Sequence, residues 1–340
     1  MPIEAPSPSS LPPGGSAATA FAAPCPFCAA QDTLARGRTA SEDGTVYPLR
    51  ICGACGTVFL WPPPSEGQLQ AAYATGYYGE GATKFGGWIE RLRDFFGTRR
   101  ARQLARPLAE DARILDVGCG DGRLLRSFQK VGRYELHGIE LPGPAAERAG
   151  KIPGIHLHRG TLGAVELPAA SFDLITLVHV YEHLPVPRET LDRLVRLVKP
   201  GGRLFLAFPN ISSWQARVFG PDWFHLDPPR HLNLVPPQAV IAHLESKGFH
   251  LESAHDLCLE QNTYGWLQSA LNRVDRRRNF LYERLKRNRA YLPARGAGSV
   301  LAHAAAAGFL LAPALALDLA SANVGSGATV ELTFECRPPS

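Results

Sequence analysis

The most chemically informative segment is ILDVGCGDGR at residues 114–123, an apolar run that leads into a turn with alternating glycines. The glycines are Gly118, Gly120 and Gly122. Glycine lets the backbone turn tightly and approach a ligand closely, and a helix that begins near Gly122 directs unpaired N–H groups at that ligand. Because Asp116 precedes the turn and Asp121 lies inside it, a pyrophosphate is repelled there, whereas a cationic amino-acid ligand is attracted.

The turn resembles the D-x-G-x-G signature of class I S-adenosylmethionine (SAM)-dependent methyltransferases, with a ligand-free glycine turn as the alternative. The resemblance implies that SAM lies against Asp116, Gly118, Cys119, Gly120, Asp121 and Gly122. Glu140 follows about 20 residues later at the end of the next predicted strand, where an acid can accept both ribose hydroxyls. The family commonly places its ribose-binding acid there, so the resemblance gives Glu140 that role; a surface glutamate is the alternative.

The adenine side of the expected SAM pocket departs from the family pattern. Thr161 and Leu162 stand where family members often have an acid that contacts the adenine amino group. Adenine binding would then rest on backbone groups and apolar packing. Val178 and His179, at the end of a later strand, are expected to border SAM as well.

Two histidines are candidates for a general base because an imidazole titrates near neutral pH. His183 lies in HVYEHLP, residues 179–185, which resembles a segment of small-molecule methyltransferases that include ubiquinone-type O-methyltransferases. His231 lies in the predicted acceptor lid, residues 222–235, together with His225 and Arg230. These residues are expected to bind or activate a hydroxylated or acidic acceptor. Loop hydrogen bonding by His183 and metal binding with Asp227 remain alternatives.

Four cysteines near the N-terminus form two C-x-x-C pairs separated by 23 residues: Cys25, Cys28, Cys52 and Cys55. Two such turns can close a tetrahedral zinc site, and four sulfur ligands leave no open position, so the expected zinc is structural. The alternatives are four reduced cysteines in turns or a redox pair. The segment has few large apolar residues, so a separate module of this size needs a staple.

Alternating apolar runs and helical stretches predict a seven-stranded α/β sheet of the Rossmann-like methyltransferase type with a small N-terminal zinc-binding module. The predicted organisation is a disordered tail (1–24), a zinc-ribbon-like module (25–64), a helical linker or cap (65–110) and a methyltransferase domain (111–340). That domain would include a helical insertion at 273–325 before the last strand. The fifth predicted strand is Arg203–Phe208, and the last is Thr329–Cys336.

Composition is that of an ordinary globular protein: 340 residues, 45% hydrophobic and 20% charged, with a net charge of +5. Residues 273–289 alone carry +6, so the basic charge is local and gives no general field for nucleic acid. Residues 300–317 are apolar or small and near the lower limit for a membrane span. We expect this insertion to pack within the domain, to contact a protein, or to lie on a membrane surface.

An odd number of cysteines and an N-terminus without a signal-peptide pattern predict a cytoplasmic protein, with peripheral membrane contact left open. The leading hypothesis is methyl transfer from SAM to a small-molecule or glycan-like acceptor at oxygen. An RNA methyltransferase that uses the zinc module as its reader is a second hypothesis, although residues 24–64 have zero net charge. A non-catalytic SAM-binding or protein-binding scaffold is the third.

Overall fold

The structure is a computed structural model that describes residues 23–74, 87–259, 261–275, 278–286 and 297–337. The strands are β1 Thr33–Ala40, β2 Val46–Cys52, β3 Val58–Leu60, β4 Arg113–Val117, β5 Glu135–Glu140, β6 Ile155–Arg159, β7 Phe172–Val178, β8 Val198–Pro209, β9 Asn233–Leu234, β10 Phe249–His255 and β11 Thr329–Cys336. The helices are α1 Glu66–Ala74, α2 Gly87–Ala105, α3 Arg123–Gln129, α4 Pro144–Ala149, α5 Pro187–Leu197, α6 Trp214–Phe219, α7 Pro237–Glu245, α8 Asn262–Val274, α9 Phe280–Leu285 and α10 Ala297–Asn323. Residues 1–22 of the predicted disordered tail (1–24) lie outside the described residues, whereas Ala23 is described and buried.

Seven strands form the main sheet in the order β10-β11-β8-β7-β4-β5-β6. Strand β4 pairs in parallel with β5 and β7, whereas β11 runs antiparallel between β10 and β8. Helices cover both faces, so the central strands are continuous apolar runs, and Ile114, Leu115, Leu204 and Leu206 are fully buried. This confirms the predicted fold class.

The fifth strand of the main sheet is longer than the sequence predicted. Helix α5 ends at Leu197, and β8 begins at Val198, five residues before the predicted start at Arg203. Lys199, Pro200 and the two glycines were expected to stop the helix in a loop. The pairing of β7 with β8 has an irregularity between Phe172 and Leu174, which lets the Pro-Gly-Gly segment lie within the strand.

The N-terminal cysteine segment forms a second sheet of four strands in the order β1-β2-β3-β9. Strand β9, only two residues long, comes from the region predicted to be the acceptor lid. Cys25, Phe27 and Cys52 belong to the same apolar cluster as Val235 and Val240 of the main domain. The module therefore shares a core with the main domain, because a segment with so few apolar residues cannot bury a core of its own.

Helices α8, α9 and α10 lie between β10 and β11, and α8 begins at Asn262, before the predicted insertion at 273–325. One stretch of α10, Ala305–Asn323, is long and apolar enough to cross a membrane by length and composition, and 17% of it is buried. Asp318 is fully buried and accepts a hydrogen bond from the Thr263 hydroxyl of α8 at 2.8 Å. Helix α10 thus packs along α8 through a face that includes a carboxyl group.

Because β11 joins the sheet's antiparallel edge to its parallel centre, truncating a side chain there should destabilise the whole domain. Leu332 is fully buried, and we expect Leu332→Ala to lower the free energy of unfolding by about 2–5 kcal/mol. Leu34→Ala, at a residue 62% exposed, is the matched control and should change it by less than about 0.5 kcal/mol. Urea denaturation followed by circular dichroism measures both; equal effects would contradict this account of the core.

Candidate active site

The glycine turn is held against the neighbouring strand by backbone hydrogen bonds. The amides of Gly118 and Cys119 both donate to the carbonyl oxygen of Ile139, at 2.8 and 3.0 Å. Gly118 has a φ of 69°, and a Cβ atom there would lie 2.5 Å from a Val180 methyl group. The turn therefore needs glycine at 118 for two reasons, its left-handed backbone and its contact with the loop after β7.

Gly120 differs from Gly118 in what it faces. Its φ is 57°, and a Cβ atom placed on it would meet no atom within 4 Å. Its amide donates to the Glu140 carboxylate at 2.7 Å, and the amide of Leu141 donates to the other carboxylate oxygen at 3.0 Å. An open cleft bounded by a bare backbone and an acid at the end of β5 suits a ribose-bearing ligand, so these residues fit SAM.

The two acids of the SAM signature have different surroundings. Asp116 is buried and accepts a hydrogen bond from the Thr176 hydroxyl at 2.7 Å; burial raises the pKa of Asp116 to about 7. Burial also raises the pKa of Glu140, although the amides of Gly120 and Leu141 oppose that shift. Thr176 was not identified from the sequence, because a threonine within an apolar strand gives no signal that it contacts the neighbouring strand.

The remaining predicted SAM residues lie at the same edge of the sheet. Thr161 is exposed, and its hydroxyl accepts from the Ala164 amide at 3.2 Å, whereas Leu162 is buried. His179 follows Val178 with a φ of 55° and donates its amide to Ala207 at 2.8 Å. Asp121 lies partly exposed in the turn, with its carboxylate 3.8 Å from Arg123. Their contacts with SAM remain predictions.

A second group of polar side chains surrounds Glu182, which was quoted in the sequence motif but not counted as a site residue. Glu182 is 2% exposed, and neither of its carboxylate oxygens has a hydrogen-bond partner within the described part of the chain. Its Oε1 lies 3.6 Å from His179 Nδ1 and 3.9 Å from His231 Nε2. Burial opposes ionisation, but the imidazoles of His179, His231 and His183 lower the pKa of Glu182 to about 2.

The structure brings the two predicted bases, His183 and His231, together, and their ring centroids are 4.7 Å apart. His183 Nδ1 lies 2.9 Å from the carbonyl oxygen of Arg230, and His231 Nδ1 lies 2.7 Å from that of His225. Because a carbonyl oxygen only accepts, we assign the proton to Nδ1 in both rings, which leaves each Nε2 with a lone pair. Burial and the charge of His231 lower the pKa of His183 to about 4.

The other lid residues are committed to internal contacts. The Arg230 guanidinium is 5% exposed and pairs with Asp227 and with Glu42 of the cysteine module. His225 is buried against Gly265, and burial lowers its pKa to about 3. Both side chains are therefore buried within the protein, and their expected contact with an acceptor stays a prediction. Glu42, distant in sequence, gave no signal that it pairs with Arg230.

Two groups have the donor chemistry of a metal site. The four cysteine sulfurs lie within 4.8 Å of one another, with Sγ–Sγ distances of 3.5 Å for Cys25–Cys55 and Cys28–Cys52. A zinc tetrahedron with Zn–S bonds of about 2.3 Å needs edges of about 3.8 Å, so the cysteines fit zinc. Glu182, His183 and His231 also place one ligand atom each within 4.8 Å of one another.

Comparison with known proteins agrees with this arrangement. A family model described as a methyltransferase domain matches residues 88–254. The ubiquinone biosynthesis O-methyltransferase of Xanthomonas oryzae pv. oryzae is 30% identical over 202 residues, which cover 57% of this chain and 75% of that protein. The chain belongs to the class I SAM-dependent methyltransferases. The corresponding enzyme of Xylella fastidiosa is 30% identical over 161 residues, 44% of this chain and 65% of the relative.

Solved structures similar to this methyltransferase include YcgJ from Bacillus subtilis, at 15% identity and a TM-score of 0.46. The match includes 72% of this chain and the whole of YcgJ. Phosphoethanolamine N-methyltransferase 2 of Haemonchus contortus has a TM-score of 0.49 at 15% identity. That match includes 83% of this chain and 62% of the Haemonchus chain. The family membership makes SAM the expected cofactor. The match to the methyltransferase family model ends at 254, before α8 and α10.

We expect Glu140→Ala to weaken SAM binding by about 10- to 10²-fold, because hydrogen bonds to a charged group contribute about 1.5–3 kcal/mol. The variant also removes the carboxylate that holds the Gly120 amide. Glu147→Ala, which removes an acid whose side chain is 64% exposed, is the control and should leave affinity unchanged. Isothermal titration calorimetry with SAM measures both dissociation constants; unchanged binding in Glu140→Ala would exclude the ribose role.

Proposed function

We propose that this protein transfers the methyl group of SAM to a hydroxyl oxygen of a small-molecule or saccharide-type acceptor. The observation that carries the proposal is the pair of adjacent imidazoles, His183 and His231, with ring centroids 4.7 Å apart and with each Nδ1 next to a backbone carbonyl oxygen. Val180 packs on Gly118, so the loop that carries His183 directly adjoins the expected cofactor site. The relatives' name, ubiquinone biosynthesis O-methyltransferase, supports oxygen as the methylated atom.

SAM supplies an activated methyl group on its sulfonium sulfur. The protein's contribution is to align the acceptor oxygen with that methyl group and to exclude water. SAM held by the glycine turn and Glu140 would supply the methyl group and leave as a neutral thioether, and an imidazole Nε2 of His183 or His231 would take the proton that the acceptor hydroxyl loses. Glu182 stabilises the imidazolium that forms, because its buried carboxylate lies 3.9 Å from His231 Nε2.

A second way to activate the acceptor is favoured by the unpartnered Glu182 carboxylate. Buried carboxylates normally have hydrogen-bond partners, and both oxygens of Glu182 lack one within the described residues. Together with the lone pairs on His183 and His231, they fit a divalent cation. Such a cation would lower the pKa of a bound hydroxyl group, so neither imidazole would be needed as a base.

The RNA-methyltransferase and scaffold hypotheses have less support. The module's β3 edge pairs with β9, its apolar residues pack on the main domain, and its net charge is zero, whereas phosphate-binding surfaces are basic. A scaffold would bind SAM without turnover. An assay of methyl transfer to small acceptors distinguishes both hypotheses from the proposal.

We expect the purified protein to form S-adenosylhomocysteine when it is given SAM and a panel of polyhydroxylated aromatic compounds and nucleotide sugars. His231→Asn and His183→Asn should each lower kcat by about 10²- to 10⁴-fold with SAM affinity retained, because proton transfer is lost. His250→Asn, on the exposed face of β10, is the control. SAM binding without turnover on any acceptor, or turnover on RNA alone, would contradict the proposal.

The same assay separates the two modes of activation. If an imidazole is the base, EDTA should leave the rate of S-adenosylhomocysteine formation unchanged, provided that the four cysteines keep their zinc. If a cation acts, EDTA should abolish turnover and added Mg²⁺, Mn²⁺ or Zn²⁺ should restore it, and Glu182→Gln should prevent that restoration. Measuring bound zinc by elemental analysis in each sample distinguishes loss at the Glu182 group from loss at the cysteines.

A further inference from the structure

The cysteine module is bonded directly to the segment that carries His231. Strand β3 pairs antiparallel with β9, and the Leu60 amide donates to the Leu232 carbonyl at 3.1 Å. The Leu232 amide in turn donates to the Glu182 carbonyl at 2.9 Å. Leu232 therefore lies between the module and the Glu182 loop, bonded to both, and His231 is its immediate neighbour in the chain.

A second connection runs through an ion pair. Glu42, in the β1–β2 turn of the module, pairs with the buried guanidinium of Arg230. The carbonyl oxygen of Arg230 accepts the hydrogen bond from His183 Nδ1 at 2.9 Å, which sets the tautomer and orientation of that ring. The module thus contacts the backbone that orients His183 as well as the backbone that carries His231.

The apolar contacts join the same parts. Cys25, Phe27 and Cys52 pack in one cluster with Tyr181, the residue before Glu182. Phe27 also lies edge-on to His243 of α7, with ring centroids 5.9 Å apart. Because the module shares its core with this region, a metal ion held by the cysteines stabilises the shared core and not an independent domain.

We infer that the metal-bound cysteine module positions His183 and His231 over Glu182, and so controls acceptor turnover without contributing to SAM binding. This inference rests on the proposed function for its kinetic consequence, but its structural part does not. The SAM turn is held by hydrogen bonds to Ile139 and Glu140, and none of the hydrogen bonds or ion pairs described above joins these two residues to the module, although Ile139 lies in the same large apolar cluster as Cys25 and Cys52. Glu42, Leu60 and Arg230 are accordingly positioning residues.

The test compares Glu42→Gln, which keeps all four cysteines, with Cys52→Ser, which removes one metal ligand. Glu252→Gln is the matched control because Glu252 of β10 is exposed and forms an ion pair with Arg203 of β8, which is not part of the module. We expect Glu42→Gln to lower kcat by about 10- to 10²-fold, the scale of a small misplacement of catalytic groups, with the SAM dissociation constant within about twofold of wild type. Amide hydrogen exchange at residues 231–234 should be faster in both module variants.

Unchanged exchange at 231–234 in Glu42→Gln and Cys52→Ser would overturn the inference. A parallel loss of SAM affinity and turnover would also overturn it, because the module would then support the whole domain. If the wild type methylates no acceptor but exchange at 231–234 still rises in the variants, the proposed function fails while the positioning role stands.

Helix α10 buries polar residues and exposes apolar ones, which is the opposite of the usual pattern for a helix at a protein surface. Asp318 and Ser321 are buried against α8, whereas Phe309 is 80% and Leu311 is 55% exposed. The exposed residues between Ala305 and Ala320 are all apolar, glycine or proline. Solvent-facing helix surfaces normally carry charged residues, so this face is built to contact an apolar phase or partner.

We propose that this face lies on an anionic membrane surface. Although α10 is long and apolar enough to cross a membrane, it leads directly into β11 of the main sheet, so a span would separate β11 from the strands with which it pairs. Residues 273–289, which precede α10 in the sequence, carry a net charge of +6; among the described cations of this segment Arg273 and Arg284 are exposed, whereas Arg278 and Lys286 are buried in ion pairs. An apolar face beside a basic segment is the combination that binds anionic lipid.

Vesicle flotation with the full chain tests this proposal, with phosphatidylcholine alone and mixed with phosphatidylserine as probes. We expect binding to the mixed vesicles, weaker at high salt, and loss of binding in Phe309→Ser/Leu315→Ser. Leu34→Ser, an exposed leucine of the cysteine module, is the control and should bind as wild type does. Failure to float with either vesicle, or a dimer that the double variant dissociates in sedimentation experiments, would overturn the proposal.

Discussion

The parallel pairing of β4 with its two neighbours is the constraint on which the site depends. Because β4 is hydrogen-bonded to β5 on one side and β7 on the other, the loops that follow all three strands begin at one edge of the sheet. The Gly118 and Cys119 amides then bond to Ile139, and the Gly120 amide bonds to Glu140. These contacts place the glycine turn, Glu140 and the His183 loop at one edge of the sheet.

The acceptor side is held together differently, by segments that are far apart in sequence. The residues between β8 and α7 contribute Asp227, Arg230 and His231, the loop after β7 contributes Glu182, and the cysteine module contributes Glu42. An acidic group buried among histidines is costly unless the neighbouring charges compensate for it. The packing of the module on this region is therefore part of how these polar groups can be buried together.

The insertion formed by α8 and α10 lies on the outer side of the same region. Gly265 of α8 lies against His225, since a Cβ atom there would be 2.9 Å from the imidazole Nε2, and α10 packs along α8. Helix α8 thus contacts His225 and also packs against α10, whose exposed face is apolar. A surface that binds lipid and a site that binds an acceptor would then share one structural support, outside the part of the chain that matches the methyltransferase family model.

The sequence by itself determined the elements that depend on local pattern. The glycine turn, the acid at position 140, the paired cysteines and β11 were all predictable, because backbone conformation, ligand spacing and strand periodicity are properties of short segments. The length of β8 was not predictable, because Val198 and Arg203 pair with β7 on either side of the Pro-Gly-Gly segment, whose own sequence favours a loop. The tertiary structure alone decided that β9 joins the module's sheet, that Arg230 pairs with Glu42, and that Glu182 lies unpartnered among three histidines. These contacts join residues separated by up to 188 positions, and their energies depend on burial and distance, which no local pattern records.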